Sequence, residues 1–192
     1  MRLFRVSGDI QRYGALVLSR ATAKQLPLPA ALIIGQPLQE LWPAAAALQQ
    51  SVAPGLSVNA LGDLAAVGPT GFAASPRARA VLQPALAGVA EFLPARLGDE
   101  EWAVVNIINR EHALVPEASQ RDDSVGGAKV WLRAVFDTTK IRDARAFRDP
   151  TYGTAMLTSD VNGSLHELVG MAGLTGLRFA LLTEVAQGSR GR

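Results

Sequence analysis

Short apolar runs, cut by glycine, proline and acidic turns, make up most of the chain and predict many short strands. Runs of about four to eight β-branched or aromatic residues between such turns are typical of strands. The clearest run is 102–108, which predicts a central strand joined to the strand 92–97 by the acidic turn 98–101. The other predicted strands are 3–6, 13–18, 31–34, 72–74, 128–137, 151–158 and 177–182.

Capping residues and helical spacing predict a small number of short helices. The pair Ser75-Pro76 supplies a side-chain cap and a proline for the first turn, and both suit the free amides that open a helix. Ser159 or Asp160 is predicted to cap another helix, which ends near Gly170 and Gly173. Two further helices are predicted, one over 19–26, which Ser19 opens and Pro27 ends, and one within 40–50.

The order of these elements predicts an α+β fold with mixed, mainly antiparallel sheets and short helices packed on one side. Residues 116–127 are the longest polar stretch and are predicted to be a loop. The alternation in 128–137 places Leu132 and Phe136 on one face of a strand and Trp131 on the other. We expect a single domain over residues 1–192, with 187–192 as a flexible tail. The alternative is a separate N-terminal lobe over 1–60 beside the region 61–182.

The composition excludes several classes of protein. Hydrophobic residues make up 48% of the 192 residues, enough for a sizeable core. The net charge is only +2, and the basic residues alternate with acidic ones, so we expect no direct binding of nucleic acid. Cysteine is absent, which excludes disulfides and thiolate chemistry. Neither a signal peptide nor a membrane span is predicted, and the expected location is the cytoplasm.

The residues that could carry chemistry do not form a recognisable catalytic pattern. The two histidines are His112 and His166, and a catalytic group of Ser159, Asp160 and His166 stays an alternative because such groups are defined by geometry. We expect no catalytic residues, no cofactor and no metal site. The Asp122-Asp123 pair lacks the spacing of a calcium loop, and the glycines at 68–71 lack the lysine of a phosphate-binding loop.

The order of several segments resembles a known family. The segments are Leu61-Gly62-Asp63-Leu64, 71–82, Phe92-Leu93-Pro94, 104–108 with Ala113-Leu114 and Ser119, Phe147-Arg148-Asp149, Leu157-Thr158-Ser159 with Leu165, and Gly173-Leu174-Thr175-Gly176 with Phe179. Taken together over residues 61–182, they are similar to the immunity proteins of bacterial polymorphic toxin systems, a family typified by a myxobacterial member. The chain departs from the family at 114–116, where many members carry an acidic residue.

The resemblance implies a binding protein and not an enzyme. Members of the family are encoded beside toxin genes and protect the producing cell. We therefore expect this chain to bind a cognate toxin, encoded by a neighbouring gene and delivered by a route such as type VI secretion, and to block it by occlusion or by distortion of its active site. A nuclease is one candidate for the toxin, and a homodimer is one option for the chain itself. The alternatives are a hydrolase-like enzyme that uses His112 or His166, and an effector chaperone or adaptor.

Two charged turns are the candidate contacts with such a toxin. They are Asp99, Glu100 and Glu101 in the first turn, and Glu117, Arg121, Asp122 and Asp123 in the second. If the toxin is a nuclease with a basic cleft, these acids would take the place of phosphates.

Overall fold

The computed structural model describes residues 1–27, 33–51, 60–68, 70–122, 130–182 and 184–186. The chain is an α+β fold in which antiparallel pairing predominates, as predicted. The strands are β1 (Leu3–Gly8), β2 (Leu16–Leu18), β3 (Leu48–Gln50), β4 (Leu64–Val67), β5 (Gly71–Ala74), β6 (Ala90–Leu97), β7 (Glu100–Ile107), β8 (Gln120–Asp122), β9 (Val130–Arg133), β10 (Val135–Asp137), β11 (Met156–Ser159), β12 (Leu177–Leu182) and β13 (Glu184–Ala186). The helices are α1 (Arg20–Gln25), α2 (Pro76–Ala85) and α3 (Leu165–Met171). The predicted tail 187–192 and most of the predicted strand 31–34 lie outside the described residues.

The largest sheet has six strands in the order β3-β2-β4-β5-β7-β6, and it curls until its two edges meet. Ala47, just before β3, forms a bridge to Arg96 in β6, where the Arg96 amide donates to the Ala46 carbonyl at 2.9 Å. The Glu91 carboxylate, also on β6, accepts the Leu38 amide at 2.8 Å. The segment before β3 therefore covers the edge of β6, which would otherwise expose unpaired backbone groups.

Both faces of this sheet are buried, which explains why β7 is a continuous apolar run. Val104 belongs to a core cluster with Leu16, Leu48 and Leu93 on one face. Val105 belongs to the cluster on the other face, beneath α2 and α3. A helix was predicted from the sequence for each of these two regions, after Ser75 and after Ser159 or Asp160.

A second sheet of three strands, β11-β1-β12, joins the beginning of the chain to its end. Leu3 in β1 pairs with Ser159 in β11 and with Leu182 in β12. Strands from residues 1–60 thus pair directly with strands of the region 61–182. A third core cluster, which includes Phe136 and Phe147, lies beside this sheet, and the two-stranded sheets β8-β9 and β10-β13 complete the fold.

Helix capping agrees with the prediction at two helices and differs at the third. Ser19 and Ser75 accept amides of the first turns of α1 and α2, at 3.2 Å and 3.3 Å. The cap of α3 is Ser164, which accepts the Glu167 amide at 3.2 Å. The predicted cap at Ser159 or Asp160 is therefore wrong, because residues 160–163 form a turn between β11 and the helix, with Gly163 at φ +72°.

Three other predicted elements are wrong, each because of contacts with distant residues. The predicted helix within 40–50 is a single 3-10 turn (Gln39–Leu41) followed by β3, which pairs with β2. The predicted loop 116–127 contains β8, paired with β9. The predicted strand 128–137 breaks after Arg133, and its two halves pair with β8 and β13. Leu132 is consequently 61% exposed, whereas Trp131 packs against the third core cluster.

The helices of the described residues are all short. The longest of them, α2, has ten residues, whereas a helix needs about 20 to cross a bilayer. Among the described residues, no helix is long and apolar enough to span a membrane.

Candidate functional site

The first predicted contact lies at the tip of the β6–β7 hairpin. Gly98, at φ +60°, begins the turn, and Asp99, Glu100 and Glu101 are all exposed. Their charge is partly engaged within the hairpin. Glu100 accepts the indole Nε1–H of Trp102 at 3.0 Å, and Glu101 stands opposite Arg96. The turn therefore presents acids beside an arginine instead of a purely acidic surface.

The second predicted contact lies in another part of the fold. Glu117 is exposed in the 3-10 turn Pro116–Ala118, and Arg121 and Asp122 belong to β8. Asp123 lies outside the described residues. The first turn is at the start of β7 and the second follows its end, and a strand of eight residues is about 24 Å long. The first turn joins two strands of the six-stranded sheet, whereas Arg121 and Asp122 belong to the separate β8–β9 sheet, so the two predicted contacts lie on different sheets.

Arg121 lines a groove of about 860 Å³, which we call the aromatic groove. Its guanidinium lies 5.8 Å from the centre of the Trp131 ring, within reach of a cation–π contact. Tyr152 lines the same groove and meets Phe136 edge-on, with ring centres 5.4 Å apart. The described charged residues that line the groove, Arg5 and Arg121, are both basic and exposed.

Trp131 carries an unsatisfied polar atom in this groove. Its Nε1 is buried and has no hydrogen-bond partner. No other buried side-chain nitrogen or oxygen atom of the described residues lacks one. A buried donor without an acceptor costs about 1–3 kcal/mol. From the sequence, Trp131 was predicted only to lie on one face of a strand. Neither Trp131 nor Arg5 nor Tyr152 was predicted as a site residue, because the groove forms only where β1, β9 and 150–155 meet.

A second surface, which we call the basic cleft, is a cleft of about 640 Å³ between residues 109–112 and 139–143. Four basic side chains line it: Arg110, His112, Lys140 and Arg142. All four residues are exposed. The sequence contains a signal for this site, because four of the 19 arginines and lysines fall within 140–148. The basic cleft was not predicted, because half of its lining residues are on the distant segment 109–112.

Two buried charged residues, Arg148 and Asp149, fix the irregular segment that follows the basic cleft. Arg148 is 2% exposed and donates to the carbonyl oxygens of four separate segments, at Ile33, Thr70, Ile107 and Thr154. Burial, together with the nearby charge of Arg110, lowers the pKa of Arg148 to about 10. Asp149 is fully buried, and its carboxylate accepts four backbone amides, from residues 113, 114, 151 and 152.

The residues of the possible catalytic group are engaged in other contacts. Ser159 is fully buried, and its hydroxyl donates to the Ala144 carbonyl at 2.9 Å. Asp160 pairs with Arg2, and hydrogen bonds from Arg2 lower the pKa of Asp160. The His166 ring stacks on Phe4 with ring centres 4.1 Å apart. Among the described residues, no group of three His, Asp or Glu side chains is placed to hold a metal ion.

Two of the sequence motifs, 61–64 and 173–176, contact each other directly. Asp63 and Thr175 exchange three hydrogen bonds, in which Asp63 uses its amide and its carboxylate. A Cβ on Gly176 would lie 1.6 Å from the Leu64 carbonyl oxygen, so only glycine fits there. Burial raises the pKa of Asp63, but hydrogen bonds from Thr175 and Arg77 outweigh it, and the net pKa is lowered.

No protein-family model matches the chain, and no curated protein matches its sequence.

Proposed function

We propose that this chain is an immunity protein that binds a cognate toxin in the cytoplasm of the producing cell and blocks it by direct contact. The observation that carries the proposal is the ordered set of motifs over residues 61–182. The structural role of these motifs is consistent with the proposal. A family of binding proteins would share a frame of residues that stabilise the fold and would vary the residues on its surface.

The motif residues form such a frame. Asp63 and Thr175 are 112 positions apart and bond to each other, and Phe147, Arg148 and Asp149 are buried in the core and its hydrogen-bond networks. The motif residues thus stabilise the fold and leave its exposed surface free to differ between relatives.

The aromatic groove has the composition of a protein-binding surface. Tryptophan, tyrosine and arginine are the residues that most often dominate the binding energy of protein interfaces. The groove combines Trp131 and Tyr152 with Arg5 and Arg121.

The first experiment measures protection and binding with the product of the adjacent gene. Cells that express this gene product alone should stop growing, and coexpression of the chain should restore growth. The purified chain should bind the same gene product and abolish its activity in vitro. If the chain affects only the export of that protein, it is an adaptor and the proposal is wrong.

Two variants separate binding through the groove from other roles. Arg5→Ala removes an exposed charge at the groove and should weaken toxin binding by about tenfold or more. Arg178→Ala removes an exposed arginine from β12 and is the matched control, which should bind like the wild type. His166→Phe keeps a ring against Phe4 and should still protect, whereas the hydrolase alternative through His166 predicts loss of activity.

A further inference from the structure

Among the described residues, those that line the basic cleft and are exposed include three cations, Arg110, Lys140 and Arg142, and no acidic side chain. Arg110, His112 and Arg142 are exposed, and the Lys140 side chain is 59% exposed and lies 3.7 Å from Asp137. These four side chains come from two segments about 30 positions apart, and they point into one cleft of about 640 Å³.

The acidic residues of the cleft are already bonded within the protein. Glu111 is only 5% exposed, and its carboxylate accepts the Asp143 amide at 3.0 Å. The Asp143 carboxylate binds the guanidinium of Arg145, with a shortest distance of 2.6 Å, and the hydrogen bonds from Arg145 lower the pKa of Asp143. Each of these two carboxylates is therefore engaged by a donor other than the four basic side chains, of which Lys140 has Asp137 beside it.

The two walls of the cleft are tied together before any ligand arrives. The Asn109 side-chain amide donates to the carbonyls of Asp143 and Ala146, at 2.9 Å and 3.1 Å. The backbone of 109–111 also pairs with Arg148 on both sides, through the Arg148 amide and its carbonyl. A site with walls held in this way loses little conformational freedom when it binds.

The buried guanidinium of Arg148 adds positive charge behind the cleft. All of its hydrogen-bond acceptors among the described residues are backbone carbonyls, and none is a carboxylate. The charge of Arg110 contributes to the lowered pKa of Arg148, which means that the two cations repel each other. An anion bound at Arg110 would relieve part of this repulsion.

We propose that the basic cleft binds a carboxylate-bearing acidic segment of the toxin. The inference rests on the proposed function and names the chemistry of the contact. Arginine binds carboxylates through paired hydrogen bonds, and a cleft of this volume accommodates a few acidic side chains. The affinity of proteins for nucleic acid comes mainly from neutralising many phosphates with lysine and arginine, whereas only three such side chains line this cleft, on a chain of net charge +2.

The test compares two double variants of equal charge. Lys140→Gln with Arg142→Gln removes one lysine and one arginine from the cleft. Arg20→Gln with Lys24→Gln removes the same two residue types from exposed positions of α1. Binding to the purified product of the adjacent gene is measured by calorimetry at about 50 mM and about 300 mM salt, after thermal unfolding has shown that both variants fold like the wild type.

We expect the cleft variant to raise the dissociation constant about tenfold at low salt and to flatten its salt dependence, because rim charges act mainly through long-range attraction. The α1 variant should stay within about twofold of the wild type. If the wild type binds and the cleft variant binds no more weakly than the α1 variant, the cleft proposal is wrong and the proposed function stands. If the wild type does not bind at all, the proposed function fails and the cleft proposal fails with it. A duplex oligonucleotide serves as a separate probe, and its binding to the wild type, with loss in the cleft variant alone, would overturn the proposal in favour of nucleic acid.

Discussion

The link between Asp63 and Thr175 is the contact by which the motif at 61–64 holds the motif at 173–176. Thr175 donates its amide and its hydroxyl to the Asp63 carboxylate, each at 3.1 Å, and its hydroxyl accepts the Asp63 amide at 3.2 Å. Arg77 adds an ion pair at 3.0 Å, with 60% of its side chain exposed. We predict that replacing Asp63 and Thr175 singly and together reveals a coupled pair.

The magnitudes follow from burial. The Asp63 side chain is 17% exposed, so the loss of its charge-assisted bonds to Thr175 should cost about 2 kcal/mol. The exposed pair with Arg77 should add at most about 0.5 kcal/mol. Thr175→Val should cost about 1 kcal/mol, because Thr175 is exposed and water can replace its hydroxyl. Since one of the bonds is lost in either variant, the double variant should be about 1 kcal/mol more stable than the sum predicts.

Urea unfolding of the wild type, Asp63→Ala, Thr175→Val and the double variant measures this cycle. Arg77→Ala is the control for the ion pair. Because the pKa of folded Asp63 lies below the ordinary value of 3.8, its contribution is fully present above that value and is lost as the pH falls through the folded pKa. The gap between wild type and Asp63→Ala should therefore be constant at neutral pH and narrow below pH 3.8. Additivity within about 0.3 kcal/mol would refute the coupling.

Two further predictions concern the same region. Gly176→Ala should cost about 3 kcal/mol or more, because its Cβ would overlap the Leu64 carbonyl oxygen and its φ is +106°. Gly173→Ala is the matched control, because φ there is +58° but nothing lies within 4 Å of the added atom, and it should cost about 1 kcal/mol. Equal losses in the two variants would contradict the steric argument. Ser164→Ala should lower the free energy of unfolding by about 1 kcal/mol through loss of the α3 cap, and an unchanged value in chemical denaturation would show that this cap is not needed.

Elements with local causes were predictable from the sequence. The β6–β7 hairpin needs only two apolar runs and a turn, and the structure has it with Gly98 at positive φ. The α2 helix needs a serine cap and a first-turn proline, and Ser75 and Pro76 supply them. The α+β class follows from the sum of such local patterns.

Elements that depend on a distant partner were mispredicted. Polar residues 120–122 form β8 only because β9 offers backbone partners. The chain around Pro43 avoids a helix because the next residues reach across to Arg96 and then pair with β2. Tertiary hydrogen bonds of this kind outweigh intrinsic helix preferences of a few tenths of a kcal/mol per residue.

The contrast between local patterns and distant contacts also applies to the candidate sites. The predicted contacts were contiguous charged turns, because runs of charge are visible along a sequence. The aromatic groove and the basic cleft each combine segments that are far apart, such as Arg5 with Trp131 and Arg110 with Arg142. Arg148 read only as part of a motif until the structure placed it against four separate carbonyls.

The sequence by itself determined the class of the fold, the hairpin and the caps of α1 and α2, since each depends on neighbouring residues. The resemblance of the segments over 61–182 to an immunity family stays a prediction. The tertiary structure decided the closure of the six-stranded sheet, the cap of α3 and the two binding surfaces. These depend on the pairing of backbone groups and side chains across more than a hundred positions, as between Asp63 and Thr175, and a local pattern carries no information about which distant partner will satisfy a given polar group.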